Sequence, residues 1–167
     1  MSERDRGTPW TPGGDGPAPS SPPVPVELDE AECRRLLATA TVGRISFTTG
    51  ALPAIVPVPF ALHEGQVLIP AALSSPMVDA VRGAVVAFGV DSFHPGTEAG
   101  WSVTVVGPSR VRGEPHRLVG LTGAGLPGHW TGPGRCLVAV HVGLLRGWCT
   151  GHLNPEVPHH TSEASAW

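Results

Sequence analysis

The chain has 167 residues, which are enough for one domain with a hydrophobic core but too few for two ordinary domains. All 11 of its basic residues are Arg and it contains no Tyr, so Schiff-base catalysis, a phosphate-loop lysine, a Ser-Lys dyad and a phenolic acid are excluded. A formal net charge of -3, with 15% charged residues, gives no general electrostatic reason to bind nucleic acid or an anionic membrane. Neither partner is predicted.

The cysteine pattern predicts a reducing environment. Cys33, Cys136 and Cys149 are odd in number and far apart, which does not suit a disulfide framework. The charged residues near the N-terminus are followed by Pro and Gly, and no apolar run of about 18 residues occurs. We therefore expect a cytoplasmic protein.

Both ends of the chain differ in composition from its middle. Residues 1–26 contain seven Pro and four Gly, and such a segment cannot bury enough apolar surface to offset its chain entropy. It is predicted to be a disordered tail. Residues 153–167, with Pro155 and Pro158 among scattered polar residues, are predicted to be a flexible tail. The folded domain is expected to span residues 27–152.

The first predicted elements are a helix and a meander of strands. Asp29 can cap the helix, and Glu32, three residues later, completes the pattern of a capping box. Apolar residues then recur at spacings of three and four, and the helix is expected to end before Gly43. Beyond it the pattern alternates with a period of two, which predicts strands. The three strands of the meander are residues 42–47, 54–62 and 67–69.

The second of these strands contains two prolines. Pro57 and Pro59 lie two residues apart, so both missing amides belong to the same edge of the strand. That edge cannot be paired in a continuous ladder. It is expected to face a ligand or solvent.

The second half of the chain continues the β pattern. Ser75 and Pro76 predict the cap and first residue of a short helix that runs to about Arg82. Another short helix is predicted to begin at Glu114-Pro115. Six strands and three short helices favour a mainly β fold, an antiparallel barrel or sandwich, over a doubly wound fold. The last three strands are residues 85–90, 101–111 with an interruption at Gly107-Pro108, and 137–145.

No set of residues predicts a catalytic or metal site. Cys149 and His152, with two more His near the C-terminus, form one close pair where a structural zinc site needs two. The Gly-x-Ser-x-Gly pattern of a nucleophile elbow is missing. Asp91, at the predicted end of a strand, is interpreted as a turn former rather than a base. Any catalysis must therefore use His, Asp, Glu, Arg, Cys, Ser or a bound cofactor.

Six segments in order carry a family resemblance. They span residues 28–148 and include ECRRLL (32–37), VGRI (42–45), PAIVPVPF (53–60), VAFGVD (86–91), GWSVTVVG (100–107) and the late Trp130 with Pro133-Gly134. In this order they resemble the pyridoxamine 5'-phosphate oxidase-like flavoproteins of actinobacteria. The resemblance implies a six-stranded split β-barrel, a homodimer, and FMN at the subunit interface, with FAD or a deazaflavin in some branches.

The resemblance also implies which residues surround the flavin. The strand from Pro57 to Phe60 would line the isoalloxazine ring, Trp101 and Ser102 would approach from the other side, and Arg44 is a candidate anion contact. The serines at the start of the second helix would bind the phosphate. The expected cofactor-binding residues are Arg44, Pro57, Val58, Pro59, Phe60, Ser74, Ser75, Met77, Trp101 and Ser102.

The chain departs from the family where the phosphate is held. Typical members have an Arg and a Thr after the third strand and then a Lys, whereas this chain has Ala71, Ala72 and Met77. Each lost charge-assisted hydrogen bond ordinarily contributes about 1.5–3 kcal/mol. Ser74, Ser75 and the amides at the helix start are expected to compensate.

Two functional hypotheses follow. The first is a flavin-dependent oxidoreductase, with FMN as the expected cofactor, acting on a small molecule. The second is a split-barrel protein that has lost its cofactor and serves as an apolar small-molecule binder or a partner subunit. Oxidation of pyridoxamine phosphate itself is not expected, because no cations for that substrate are visible.

Overall fold

The computed structural model describes residues 24–94, 99–113, 130 and 132–151. These residues form nine strands and two α-helices. The helices are α1 (Glu30–Thr39) and α2 (Pro76–Val81). The strands are β1 (Val26–Leu28), β2 (Val42–Thr49), β3 (Leu52–Pro59), β4 (Ala61–His63), β5 (Gln66–Ala72), β6 (Val85–Phe93), β7 (Gly100–Gly113), β8 (Arg135–His141) and β9 (Leu144–Thr150).

The strands form an open, antiparallel barrel. They are hydrogen-bonded in the order β3-β2-β6-β7-β8-β5-β4, with β9 added to β7 and β1 added to β9. The two ends of this path, β3 and the β5-β4 hairpin, are not hydrogen-bonded to each other. The predicted mainly β fold, an antiparallel split barrel, is confirmed.

Strand β7 connects the two halves of the barrel. Its residues 100–108 pair with β6, and residues 109–113 pair with β8. A Cβ on Gly107 would lie 1.8 Å from the carbonyl oxygen of His141, so only glycine fits where β7 passes the end of β8. The predicted interruption at Gly107-Pro108 is therefore the point at which one continuous strand changes partners.

The predicted number of six strands is wrong for this part of the chain. The predicted strand 54–62 is two strands, β3 and β4, which separate at Phe60. The predicted strand 137–145 is also two strands, β8 and β9, which separate at residues 142–143. Continuous apolar runs hid both breaks. Strand β1 was missed because three residues are too few to show a period.

The predicted helices are confirmed at both positions that the structure describes. The Asp29 carboxylate accepts a hydrogen bond of 2.8 Å from the Glu32 amide, as an N-cap should. The Glu32 carboxylate does not complete the capping box but accepts from Arg35 instead, at 2.6 and 2.9 Å. Helix α2 begins at Pro76 as predicted, although Ser75 makes no side-chain cap bond. The helix predicted at Glu114-Pro115 lies outside the described residues.

The core fills the barrel with side chains from the inner faces of the strands. Ile45, Phe88, Val103, Val105 and Val138 are all fully buried. Helix α1 covers one end of the barrel with Cys33, Leu36 and Leu37, which face β9 and β7.

Helix α2 is held against β7 by a buried polar residue. The single hydroxyl proton of Ser109 lies between the carbonyl oxygens of Val81 and Ala84, and the Ser109 amide donates to the Ala84 carbonyl oxygen at 2.8 Å. This fixes the position of α2 beside the open seam of the barrel.

Candidate functional site

A cleft of about 470 Å³ lies at the seam where the barrel is open. It is bounded by β2 and β3 on one side and by β5 and α2 on the other. Its volume is within the range of about 300–1,000 Å³ that small-molecule sites occupy. The residues that line it are Phe47, Thr49, Val56, Val58, Pro70, Ala71, Ala72, Ser75, Pro76, Met77 and Arg135.

Most of the cleft wall is apolar. Phe47 and Val58 face inward from the paired strands β2 and β3 and are buried. Met77 approaches from the first turn of α2 and is also buried. Val56 and Pro70 are partly exposed. A flat, apolar part of a ligand would be shielded from water here.

The polar groups of the cleft are few and carry one charge. Thr49 and Ser75 contribute hydroxyl groups, and Arg135 contributes a guanidinium. No carboxylate lines the cleft, and no described carboxylate lies within 4 Å of the Arg135 guanidinium. The cleft therefore combines an apolar wall with an uncompensated positive charge.

Arg135 comes from a strand that the sequence did not connect with this site. It is the first residue of β8 and is paired directly with Ala72 of β5. The turn before it is tied to the loop after β5, because the Leu73 amide donates to the Gly134 carbonyl oxygen at 2.8 Å. The register thus places an arginine beside the alanine that replaces a polar residue of the family pattern. No local signal in the sequence places Arg135 here, because the register between β5 and β8 sets its position.

Three of the expected cofactor-binding residues come together in this cleft. Val58, Ser75 and Met77 line it, as do Ala71 and Ala72, where the chain departs from the family pattern. Beneath the wall, the Cys136 thiol donates to the Ala71 carbonyl oxygen at 3.7 Å. Burial raises the pKa of Cys136, so it is a protonated packing residue rather than a nucleophile.

The other predicted flavin contacts of this strand, Pro57, Pro59 and Phe60, do not line the cleft. Pro57 and Pro59 are exposed and alternate with the inward-facing Val58. Strand β3 pairs only with β2 in the described part of the chain, so the predicted unpaired edge is confirmed. Phe60 is buried in the core, where its ring meets that of Phe88 edge to face at 4.8 Å.

The remaining expected residues also lie outside the cleft. Ser74 is exposed in the turn before α2. Trp101 and Ser102 lie in β7 between β6 and β9. The Arg44 guanidinium is paired with the Asp91 carboxylate on the outer surface. Asp91 lies within β6 rather than in a turn after it, which corrects the predicted end of that strand.

Two kinds of feature are missing from the part of the chain that the structure describes. No group of three or more His, Cys, Asp or Glu side chains is arranged to hold a metal ion. No helix there is long and apolar enough to cross a membrane. His152, which the sequence analysis considered as a ligand, lies outside the described residues.

Comparison with known proteins identifies the family. Residues 29–141 match the model of the pyridoxamine 5'-phosphate oxidase family. The uncharacterized protein Rv0080 of Mycobacterium tuberculosis is 38% identical over 113 residues, which are 65% of this chain and 74% of that protein. The chain therefore belongs to the pyridoxamine 5'-phosphate oxidase family, and the relative agrees with an actinobacterial type.

Solved structures share the same fold. The FAD binding protein from Mycobacterium smegmatis is 28% identical, with a TM-score of 0.63, and the match covers 75% of this chain and 98% of that one. An FAD-binding protein from Mesorhizobium loti is 18% identical, with a TM-score of 0.61 over 78% of this chain and 99% of that one. The architecture of this chain is therefore shared with proteins that are described as FAD-binding.

Proposed function

We propose that this protein binds FMN in the seam cleft and is a flavin-dependent oxidoreductase that acts on a small molecule. The observation that carries the proposal is the cleft itself, with an apolar wall and the single guanidinium of Arg135. The 28% identical FAD binding protein of M. smegmatis supports a flavin as the ligand class. FMN is preferred to FAD here because FMN has a single phosphate group for the single guanidinium of the cleft, whereas FAD has two phosphate groups.

The residues of the cleft fit the three parts of FMN. Val56, Val58 and Met77 would pack on the planar ring, which is the least polar part of the molecule. Thr49 and Ser75 offer hydroxyl groups to the ribityl chain. The Arg135 guanidinium would hold the phosphate, because its fork of N–H donors matches phosphate oxygens.

The flavin, when bound, supplies the hydride or electron transfer, and the protein supplies binding and orientation. The apolar wall excludes water from one side of the ring. No carboxylate or imidazole lines the described cleft, so this chain's residues there bind and orient rather than transfer protons.

A homodimer in the cytoplasm is part of the same proposal. The outer face of the sheet from β3 to β9 carries exposed apolar side chains that no described helix covers, among them Val42, Ile55, Leu144 and Trp148. Ile55 is 67% exposed. A second copy of the chain would remove this apolar surface from water.

The second candidate function is an apolar ligand binder or partner subunit without flavin. Ala71, Ala72 and Met77 favour it, because they remove polar donors from the cleft and enlarge its apolar wall. Both functions use the same cleft, so one experiment separates them.

The test is the visible absorption spectrum of the purified full chain, before and after FMN is added and the sample is desalted. The proposal predicts flavin bands that survive desalting. A colourless protein after FMN loading, with its fold verified by circular dichroism, would favour the apolar binder. Oxidation of a reduced nicotinamide by the loaded protein, with a dye as acceptor, then tests the oxidoreductase activity.

A further inference from the structure

A second cleft, of about 320 Å³, lies on the outer face of the sheet β5-β8-β7. Its residues are Gln66, Pro108, Arg110, Arg112, Ala139 and His141. Each alternates in its strand with an inward-facing core residue, as Arg110 does with Ser109 and Ala139 with Val138. The seam cleft opens toward the inner faces of β2 and β3, so the two clefts are separate sites.

Basic side chains dominate this second cleft. Arg110 and Arg112 lie two residues apart on β7 and therefore on the same face. His141 follows on β8, paired with Gln66 of β5. The Arg112 guanidinium donates to the Gln66 side-chain oxygen at 3.0 Å, which holds it across the intervening strand β8. Two guanidinium groups and one imidazole thus surround a small floor of Pro108 and Ala139.

Among the described residues, these two arginines have no carboxylate partner, unlike three others that are paired. Arg34, Arg35 and Arg44 are each paired with a carboxylate. Neither Arg110 nor Arg112 has a carboxylate within 4 Å among the described residues, and none lines the cleft. The chain as a whole carries a net charge of -3, so this is a local concentration of positive charge on an acidic protein.

We propose that this second cleft binds a small phosphate monoester. Two guanidinium forks and an imidazole N–H provide several donors for the oxygens of one dianion, and arginine suits phosphate because it can donate two parallel hydrogen bonds. The apolar floor of Pro108 and Ala139 accommodates the small organic group that carries the phosphate. The site is independent of the flavin proposal, because it shares no residue with the seam cleft.

The experiment is a titration of the full chain, labelled with nitrogen-15, with inorganic phosphate and with glycerol 3-phosphate, followed by amide chemical shifts. Saturable shifts are expected at Arg110, Arg112 and Ala139. Arg110→Gln with Arg112→Gln should raise the dissociation constant by at least about tenfold, because two charge-assisted contacts are lost. Both changes are on exposed side chains, and the amide spectrum also reports that the variant is folded.

The matched control is Arg34→Gln with Arg35→Gln, which removes the same two charges from the exposed face of α1 and should change the constant by less than about twofold. Glycerol 3-phosphate should bind more tightly than inorganic phosphate if the floor contacts the organic group.

Four results would overturn the proposal. The first is a set of shifts confined to Arg135 and Ala72, which would place the anion in the seam cleft, and the second is binding that persists in the double variant. The third is an equal set of shifts with sodium chloride at matched ionic strength. The fourth is binding of a single-stranded RNA oligonucleotide without any response to the two phosphates.

Discussion

The inner and outer faces of the same sheet differ in burial and in the side chains that they carry. On β8, Val138 faces the core and is fully buried, whereas His141, on the outer face of the same strand, and Arg110, which pairs with the next residue Ala139, are exposed. The inner face forms the packed barrel and, at its open seam, an apolar cleft. The outer face is mixed: it carries a second buried apolar cluster of Leu68, Leu137 and Ala139, and beside it the exposed Arg110 and Arg112. The strand period of two thus places a charged surface on the opposite face of β7 from the barrel core.

The largest effect is expected from truncating an inner aromatic residue. Phe88→Ala should lower the free energy of unfolding by about 3–5 kcal/mol, because it leaves a cavity beside Phe60. The matched control is Phe93→Ala on the outer face of the same strand, where the side chain is 59% exposed, with a cost within about 0.5 kcal/mol. Urea unfolding measures both. Equal losses would break the distinction between the two faces.

The next effect concerns the point where β7 changes partners. Gly107→Ala should cost about 1–3 kcal/mol, because its Cβ would collide with the backbone of His141 and the strands must shift. Gly113→Ala, where the structure shows no atom within 4 Å of the added Cβ, is the control. Thermal unfolding of the two variants compares them. A Gly107→Ala protein as stable as the parent would contradict the close approach of β7 and β8.

Ser109 is the polar exception on the inner face. Ser109→Ala should cost about 1–3 kcal/mol, because the Val81 carbonyl oxygen loses its donor in a buried setting. It should also weaken FMN binding, since α2 forms one wall of the seam cleft. Ser92→Ala, on the partly exposed part of β6, is the control. Unchanged stability and FMN affinity in Ser109→Ala would show that α2 is positioned by other contacts.

The smallest effect is electrostatic and lies on the exposed side of α1. The hydrogen bond from Arg35 lowers the pKa of Glu32 below its ordinary value. A lowered pKa in the folded state stabilises it above the pKa of the unfolded state, and this contribution is lost as the pH falls through the folded value. Arg35→Gln should therefore flatten the acid side of the stability profile slightly, as measured by urea unfolding between neutral and acidic pH. A profile identical to that of the parent would mean that this surface pair contributes nothing.

The sequence predicted those elements that depend on residues close together in the chain. The Asp29 cap and the spacing of Cys33, Leu36 and Leu37 were sufficient for α1, and two prolines were sufficient for the free edge of β3. The breaks at Phe60 and at residues 142–143 were not predictable in this way, because apolar residues continue across both. The positions of these breaks depend on which partner strand each segment pairs with in the folded barrel.

The candidate site was only half predictable for the same reason. Val58, Ser75 and Met77 could be placed from the order of the family segments. Arg135 could not, because its position beside Ala72 is set by the register between β5 and β8, two strands far apart in the sequence. Long-range register is not visible in a single sequence.

We expect Arg135 to supply the positive charge that typical family members carry near the phosphate and that this chain lacks at Ala71 and Met77. The most direct test compares the affinities of FMN and riboflavin, which differ only in the phosphate, for the parent protein and for Arg135→Gln. Arg135→Gln is expected to weaken FMN binding by about tenfold or more and to leave riboflavin binding within about twofold. An equal loss for both ligands, or no loss for either, would contradict the assignment of the phosphate to Arg135.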